Sequence, residues 1–220
     1  MLEAIKIISQ NKDWITNVFL VILIILTITK VVFNERLFRT NVFFLSRKYL
    51  SIYFNKEKRR LLNGFQILLF CVQLLVLSLL FFLTNVYFGY HGEILNFKGY
   101  LLILFLVSLY FGFGYVLGFL LAYLFSFKDE YSKIVFDKLN YFNNVILWVL
   151  PFLFISVYLK YYNKLFFEIT VILFVFLLIV RYGLILSMNK KLIFNNLFYF
   201  ILYICALEIA PLIIVLKLTF

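Results

Sequence analysis

The run Leu192–Leu216 is apolar except near its far end, where Glu208 is followed three residues later by Pro211. Glu208 lies eleven residues beyond Leu197 and sixteen beyond Leu192. At ~1.5 Å per helical residue that places the carboxyl group ~16–24 Å into a ~30 Å hydrocarbon core. An ionisable group at that depth costs ~2.5–3.5 kcal/mol on insertion scales and is usually turned inward toward a partner. Pro211 has no backbone N–H, so the Leu207 carbonyl loses its helical donor, and an acid and a freed carbonyl become neighbours within one turn. Ala206 and Ala210 leave room beside them. Three roles fit this site. Glu208 is an ion- or proton-linked transport carboxylate, or it contacts a polar headgroup or a basic residue of a partner protein. In the third role it is held neutral or paired inside the bundle and only fixes helix packing. Glu168 is the second carboxylate within an apolar run, and an i,i+4 pair with a snorkelling Lys164 accounts for it.

Other chemistry is sparsely provided. The single histidine, His91, falls in the short loop 89–99, so no multi-histidine metal site can form. Asp129, Glu130 and Asp137 are interleaved with lysines rather than arranged for diphosphate–magnesium chemistry, and neither a phosphate-binding loop nor a Gly-x-Ser-x-Gly elbow occurs. Cys71 and Cys205 each lie within an apolar run, which suits small hydrophobes better than a disulfide or metal site. No catalytic residue, cofactor or metal is expected, and the sequence predicts a protein that is not an enzyme.

The elements that would position these groups follow from composition. Of 220 residues 65% are apolar and 14% charged, and the mean hydropathy is +1.05. Soluble domains carry about 45–50% apolar and about 25% charged residues. Lipid must therefore be the solvent, and every backbone polar group has to be paired within helices or a closed barrel. The long unbroken runs exclude the ~10-residue alternation of a barrel. The expected fold is an all-α integral membrane protein, a single polytopic domain over 1–220 with about six spans in one bundle plus an amphipathic interfacial helix. The spans fall near 14–33, 64–88, 100–125, 141–159, 165–180 and 192–216. The first resembles a signal segment in its basic flank, but its length and the lack of a small-residue cleavage site predict that it is retained. The segment 126–144 is expected to form a separate short helix on the inner side.

Lysine and arginine distribution sets orientation. With the N-terminus outside, fifteen basic residues fall on inner segments and six on outer ones, and all six arginines are inner. Both termini are thus expected on the outer, periplasmic side. Within the inner segment 34–60, Phe38, Val42, Leu45, Tyr49 and Ile52 recur at helical spacing and form an apolar stripe. This predicts an interfacial helix on the cytoplasmic leaflet. Arg36, Arg39, Arg47, Lys48, Lys58, Arg59 and Arg60 would contact anionic headgroups at ~1 kcal/mol each. The formal net charge of +11 is explained by this topology, and no nucleic-acid partner is expected.

Helix packing also leaves marks. Gly114, Gly118 and Ala122 are spaced by four, a small-residue seam that lets two helices approach, within one chain or between chains. Gln66, Gln73 and Thr84 lie along one face of the second span, where interhelical hydrogen bonds of ~0.6–2 kcal/mol would account for them.

The stretch Phe198–Pro211, with Cys205-Ala206-Leu207-Glu208 and Pro211 at its core and Lys217 following, resembles the closing signature of an uncharacterised multipass inner-membrane family of the Bacteroidota, catalogued as a domain of unknown function. Arg47-Lys48-Tyr49-Leu50, Lys56-Glu57-Lys58-Arg59 and Arg181 are similar to the same family. The resemblance implies residence in a bacterial inner membrane and makes Glu208 and Pro211 part of a shared pattern. It supplies no activity, cofactor or catalytic residue.

Two functions stand side by side. One is a non-enzymatic accessory or assembly subunit of an envelope complex, with a protein partner or a second copy in the membrane. The alternative is a small ion- or proton-linked transporter using Glu208. The predicted topology has its own test: alkaline phosphatase fused after Phe220 is expected to be active in intact cells. Activity only of a cytoplasmic reporter at that position would reverse the orientation.

Overall fold

The computed structural model describes residues 12–34, 64–88, 96–124, 128–159 and 163–188. They form five helices: α1 Lys12–Val32, α2 Gly64–Phe88, α3 Phe97–Leu124, α4 Lys128–Tyr158 and α5 Asn163–Met188. No strand occurs among the described residues. Each of the five contains an apolar stretch long enough to cross a bilayer. This is an all-α membrane fold, because only a helix pairs the backbone of a single spanning segment within itself. The expected sixth span, 192–216, and the interfacial segment 34–60 lie outside the described residues apart from residue 34.

Two of the expected boundaries change. The fourth span does not start at residue 141 after a separate short helix, because α4 is one helix from Lys128 to Tyr158. Hydropathy alone set the break, since Asp137, Asn140, Asn143 and Asn144 dilute the apolar signal without interrupting the backbone ladder. The fifth span does not stop at residue 180 either, and α5 carries Arg181 inside it and continues to Met188. Pro151 lies within α4 on an exposed face. Its ring nitrogen cannot donate to the Leu147 carbonyl, yet the helix resumes through Tyr158.

The helices alternate in direction. At one end the start of α1 meets the end of α2 and the start of α3: the Trp14 ring lies 5.0 Å from Phe82, 5.7 Å from Phe97 and 5.3 Å from Tyr100 between centroids. The end of α4 reaches the same level, with the Tyr158 hydroxyl donating to the Thr16 hydroxyl at 2.8 Å. There the start of α5 stacks Phe167 on Tyr87 at 4.8 Å. At the opposite end Phe33 of α1 meets Phe65 of α2 at 5.6 Å.

α2 packs against α1, α3 and α4, while α4 also packs against α3 and most extensively against α5. The two inner helices are therefore α2 and α4. Their buried faces, with Leu69, Val72, Val76, Leu79 and Leu83 on one and Val145, Val149, Leu153 and Val157 on the other, repeat at helical spacing. α1 adds Ile15, Val18, Phe19 and Ile22 to the same core. α3 is the outermost helix, exposing Leu102, Phe105, Leu106, Phe113, Val116 and Phe119.

The small-residue seam on α3 splits in two. Gly118 and Ala122 turn inward against Tyr131 of α4, and a Cβ at Gly118 would overlap the Tyr131 hydroxyl and ring edge. The same hydroxyl donates to the Tyr115 carbonyl over a long 3.5 Å. Gly114 and Gly112 have nothing within 4 Å of a Cβ position. Gly118→Ala is accordingly expected to destabilise the detergent-solubilised protein by about 1–3 kcal/mol through overpacking. Gly114→Ala should be neutral or stabilising by about 0.5–1 kcal/mol. Thermal unfolding of the two variants side by side checks this, and an equal response would remove Gly118 from the α3–α4 contact.

Candidate functional site

Polar side chains inside an apolar bundle must find partners, and most of the hydroxyls find them in their own helix. Thr29 donates to the Ile25 carbonyl at 2.7 Å, Thr84 to Leu80 at 2.8 Å and Thr170 to Phe166 at 2.8 Å. Ser78 and Ser156 bond the carbonyls of Leu75 and Leu153, three residues back, at 2.9 and 2.8 Å. Thr84 thus bonds to its own helix and not across helices, as its position on the second span had suggested.

What remains is a cluster in the half of the bundle away from Trp14. Arg181 is 4% exposed although it lies within the apolar stretch of α5. Its Nη2 donates to the Lys138 carbonyl of α4 at 3.1 Å. The guanidinium carbon lies 4.4 Å from the Phe142 ring centroid and 5.4 Å from that of Tyr182. A planar, weakly hydrated cation suits such a place, where an ammonium would not stack. Around it α4 is buried on all sides from Asn140 to Ile146. Asp137, Asn140, Asn143 and Asn144 are all buried, and Asn140 Nδ2 donates to the Phe136 carbonyl at 2.9 Å. On α2, Gln66 and Gln73 are buried.

Aromatic rings fix the level of this layer. Phe142 meets Phe111 of α3 at 5.9 Å, and Phe111 meets Phe70 of α2 at 6.0 Å. Phe70 also meets Tyr115 at 6.0 Å. Four helices therefore contribute to one layer: α2, α3, α4 and, through Arg181, α5. The layer supplies a fixed positive charge, a carboxyl group and several primary amides, which bind and orient polar groups by hydrogen bonding. Among the described residues no group of three or more His, Cys, Asp or Glu is placed to hold a metal ion.

The profile of the family described as Domain of unknown function (DUF4271) matches residues 15–219. The chain belongs to this family. No curated protein and no solved structure matches it. Membership of a family described as a domain of unknown function is what the resemblance implied.

In this DUF4271 chain the residues singled out by sequence separate. Glu168 is half-buried on α5, thirteen residues and so ~20 Å along the helix from Arg181, and does not belong to the polar layer. Glu208 and Pro211 lie outside the described residues, as do His91, Cys205 and the basic residues Arg36, Arg39, Arg47, Lys48, Lys58, Arg59 and Arg60. Cys71 does not behave as a buried small hydrophobe: it is exposed on the lipid-facing side of α2. Arg181 and the α4 amides were not foreseen as a site, because Arg181 fell just past an expected span and the amides on an expected inner helix and the start of the span after it. The signal was present in the helical spacing of Asn140, Asn143 and Asn144.

Arg181→Met is expected to lose about 1.5–3 kcal/mol, the value of a hydrogen bond made by a charged group. Arg181→Lys should recover only part of that loss, since the stack on Phe142 needs the planar guanidinium. Thermal unfolding in detergent reads both variants, and full stability of Arg181→Lys would show that charge alone holds α5 to α4.

Proposed function

We propose that this chain is a non-enzymatic component of a bacterial inner membrane, an accessory or assembly subunit that docks to a protein partner within the bilayer. The supporting observation is the open notch on α3. Gly112 is exposed with nothing within 4 Å of a Cβ position, on the same helix face as the exposed side chains of Leu109, Phe113 and Val116. A glycine on an exposed helix face lets a second helix backbone approach closely, and packing of this kind drives helix association where the hydrophobic effect is absent. Gly114 and Gly118 lie on the other side of the helix, where Gly118 is already used inside the chain against Tyr131. The basic segment 34–60 is assigned to anionic headgroups on the cytoplasmic face, and both termini to the periplasm.

The experiment is a purification from native membranes in mild detergent, comparing wild type with Gly112→Leu and Glu208→Gln. A partner that accompanies wild type and is lost with Gly112→Leu, while the variant stays monodisperse, supports docking through α3. Loss with Glu208→Gln assigns the carboxyl group to the same assembly. Wild type recovered without a partner or a second copy overturns the proposal.

A further inference from the structure

The bundle interior is polar in one half and apolar in the other. Beyond the polar layer, toward Trp14, the fully buried side chains include Ile22, Val76, Leu79, Val149 and Leu153, and the buried hydroxyls there, Ser78, Ser156 and Thr170, are bonded to carbonyls of their own helices. In the layer itself, Gln73 of α2 is 0% exposed and Asn143 of α4 is 2% exposed. Neither the Nε2 nor the Oε1 of Gln73 has a hydrogen-bond partner, and the same holds for both amide atoms of Asn143. The Gln66 Oε1, two turns before Gln73, is likewise without one.

These amides share a depth. Phe70 and Phe142 are brought to one level by Phe111, as described above. Gln73 lies three residues beyond Phe70 and Asn143 one residue beyond Phe142, hence ~4.5 and ~1.5 Å further along two helices that run in the same direction. α2 and α4 pack on each other, and Val72, Val76, Phe142, Val145 and Ile146 belong to one continuous core on either side of the two amides. A buried amide left unpaired costs about 1–3 kcal/mol for each group. Four such atoms within about one turn of depth would strain a bundle held together by weak helix contacts.

We infer that the Gln73–Asn143 layer between α2 and α4 is an internal hydrated site that holds a small neutral hydrogen-bonding guest, water in the first place. A primary amide offers two donors and an acceptor oxygen, so the pair matches a guest that both gives and receives hydrogen bonds. Arg181, over Phe142, lies in the same layer. The guest enters from the Arg181 end, where Gln66, Asp137 and Asn140 continue the buried polar surface. The apolar half closes the other end.

Cys71 supplies an internal control. It lies two residues from Gln73 but is exposed on the outer surface of the apolar helix α2, where lipid keeps water-soluble reagents away. In a Cys71→Ser, Cys205→Ser background, Gln73→Cys, Asn143→Cys and Val76→Cys are treated in native membranes with a small charged methanethiosulfonate. The reagent is applied to intact cells and to inverted vesicles. Gln73→Cys and Asn143→Cys are expected to react about tenfold or more faster than Val76→Cys and than Cys71 in a Cys205→Ser chain, and from the face nearer Arg181 only. Rates no higher than that of Val76→Cys overturn the inference. Should a cysteine variant lose its fold, Gln73→Leu and Asn143→Leu decide by thermal stability. A hydrated site predicts a lower Tm for each, whereas dry unpaired amides predict a rise, and a rise at both positions overturns the inference.

Discussion

In the hydrocarbon of a bilayer no water competes for hydrogen bonds, so each polar group the chain carries inward has to be satisfied by the protein or what it holds. The consequences run through the whole bundle. The backbone is committed to helix, and the hydroxyls of Thr29, Ser78, Thr84, Ser156 and Thr170 turn back onto carbonyls three or four residues earlier. Side chains too long for that local solution collect where helices meet. Arg181 crosses from α5 to a backbone carbonyl of α4, whereas Asn140 in the same layer still finds the local solution, donating to the carbonyl four residues back. The polar layer is thus where the constraint is hardest to meet locally.

The same solvent removes the usual reason for helices to associate, because lipid tails are as apolar as leucine. Contact then depends on dispersion and on shape. Aromatic rings provide much of it here: edge-to-face pairs are worth about 0.5–1.5 kcal/mol beyond their buried area. Trp14 holds three elements at one end by such contacts, and Phe111 does the same for α2 and α4 in the polar half. The high aromatic content is put to structural use.

Much of the architecture was legible because length and hydropathy are first-order consequences of the bilayer. The spans near 14–33, 64–88 and 100–125 correspond to helices α1, α2 and α3 with end shifts of a few residues. Reading fails where a polar residue is paid for by burial inside protein rather than by exposure to water. Arg181 reads as the end of a span, since a charge normally marks the membrane edge; its stack on Phe142 and its carbonyl partner on α4 are tertiary facts. The amides of α4 read as part of a separate inner helix for the same reason. Which part of a face is covered was also hidden: Gly114 and Gly118 are one turn apart on the same face, yet only Gly118 meets Tyr131.

Position along the bundle then carries meaning that no single residue does. A protein whose only need was to fill space between lipids would be served by an apolar interior throughout, as in the half around Ile22, Leu79 and Leu153. Placing Asp137, Asn143, Gln73 and Arg181 in the other half weakens insertion of α4 and α5 as separate helices and makes each depend on the assembled bundle. α4 and α5 form the most extensive helix contact, which is the arrangement expected if these two helices enter and hold the membrane as a pair. Stability is therefore concentrated on α2, α4 and α5, and α3 is left at the periphery with its glycine notch outward. An outer helix that contributes little to the core can meet another protein without disturbing the layer behind it.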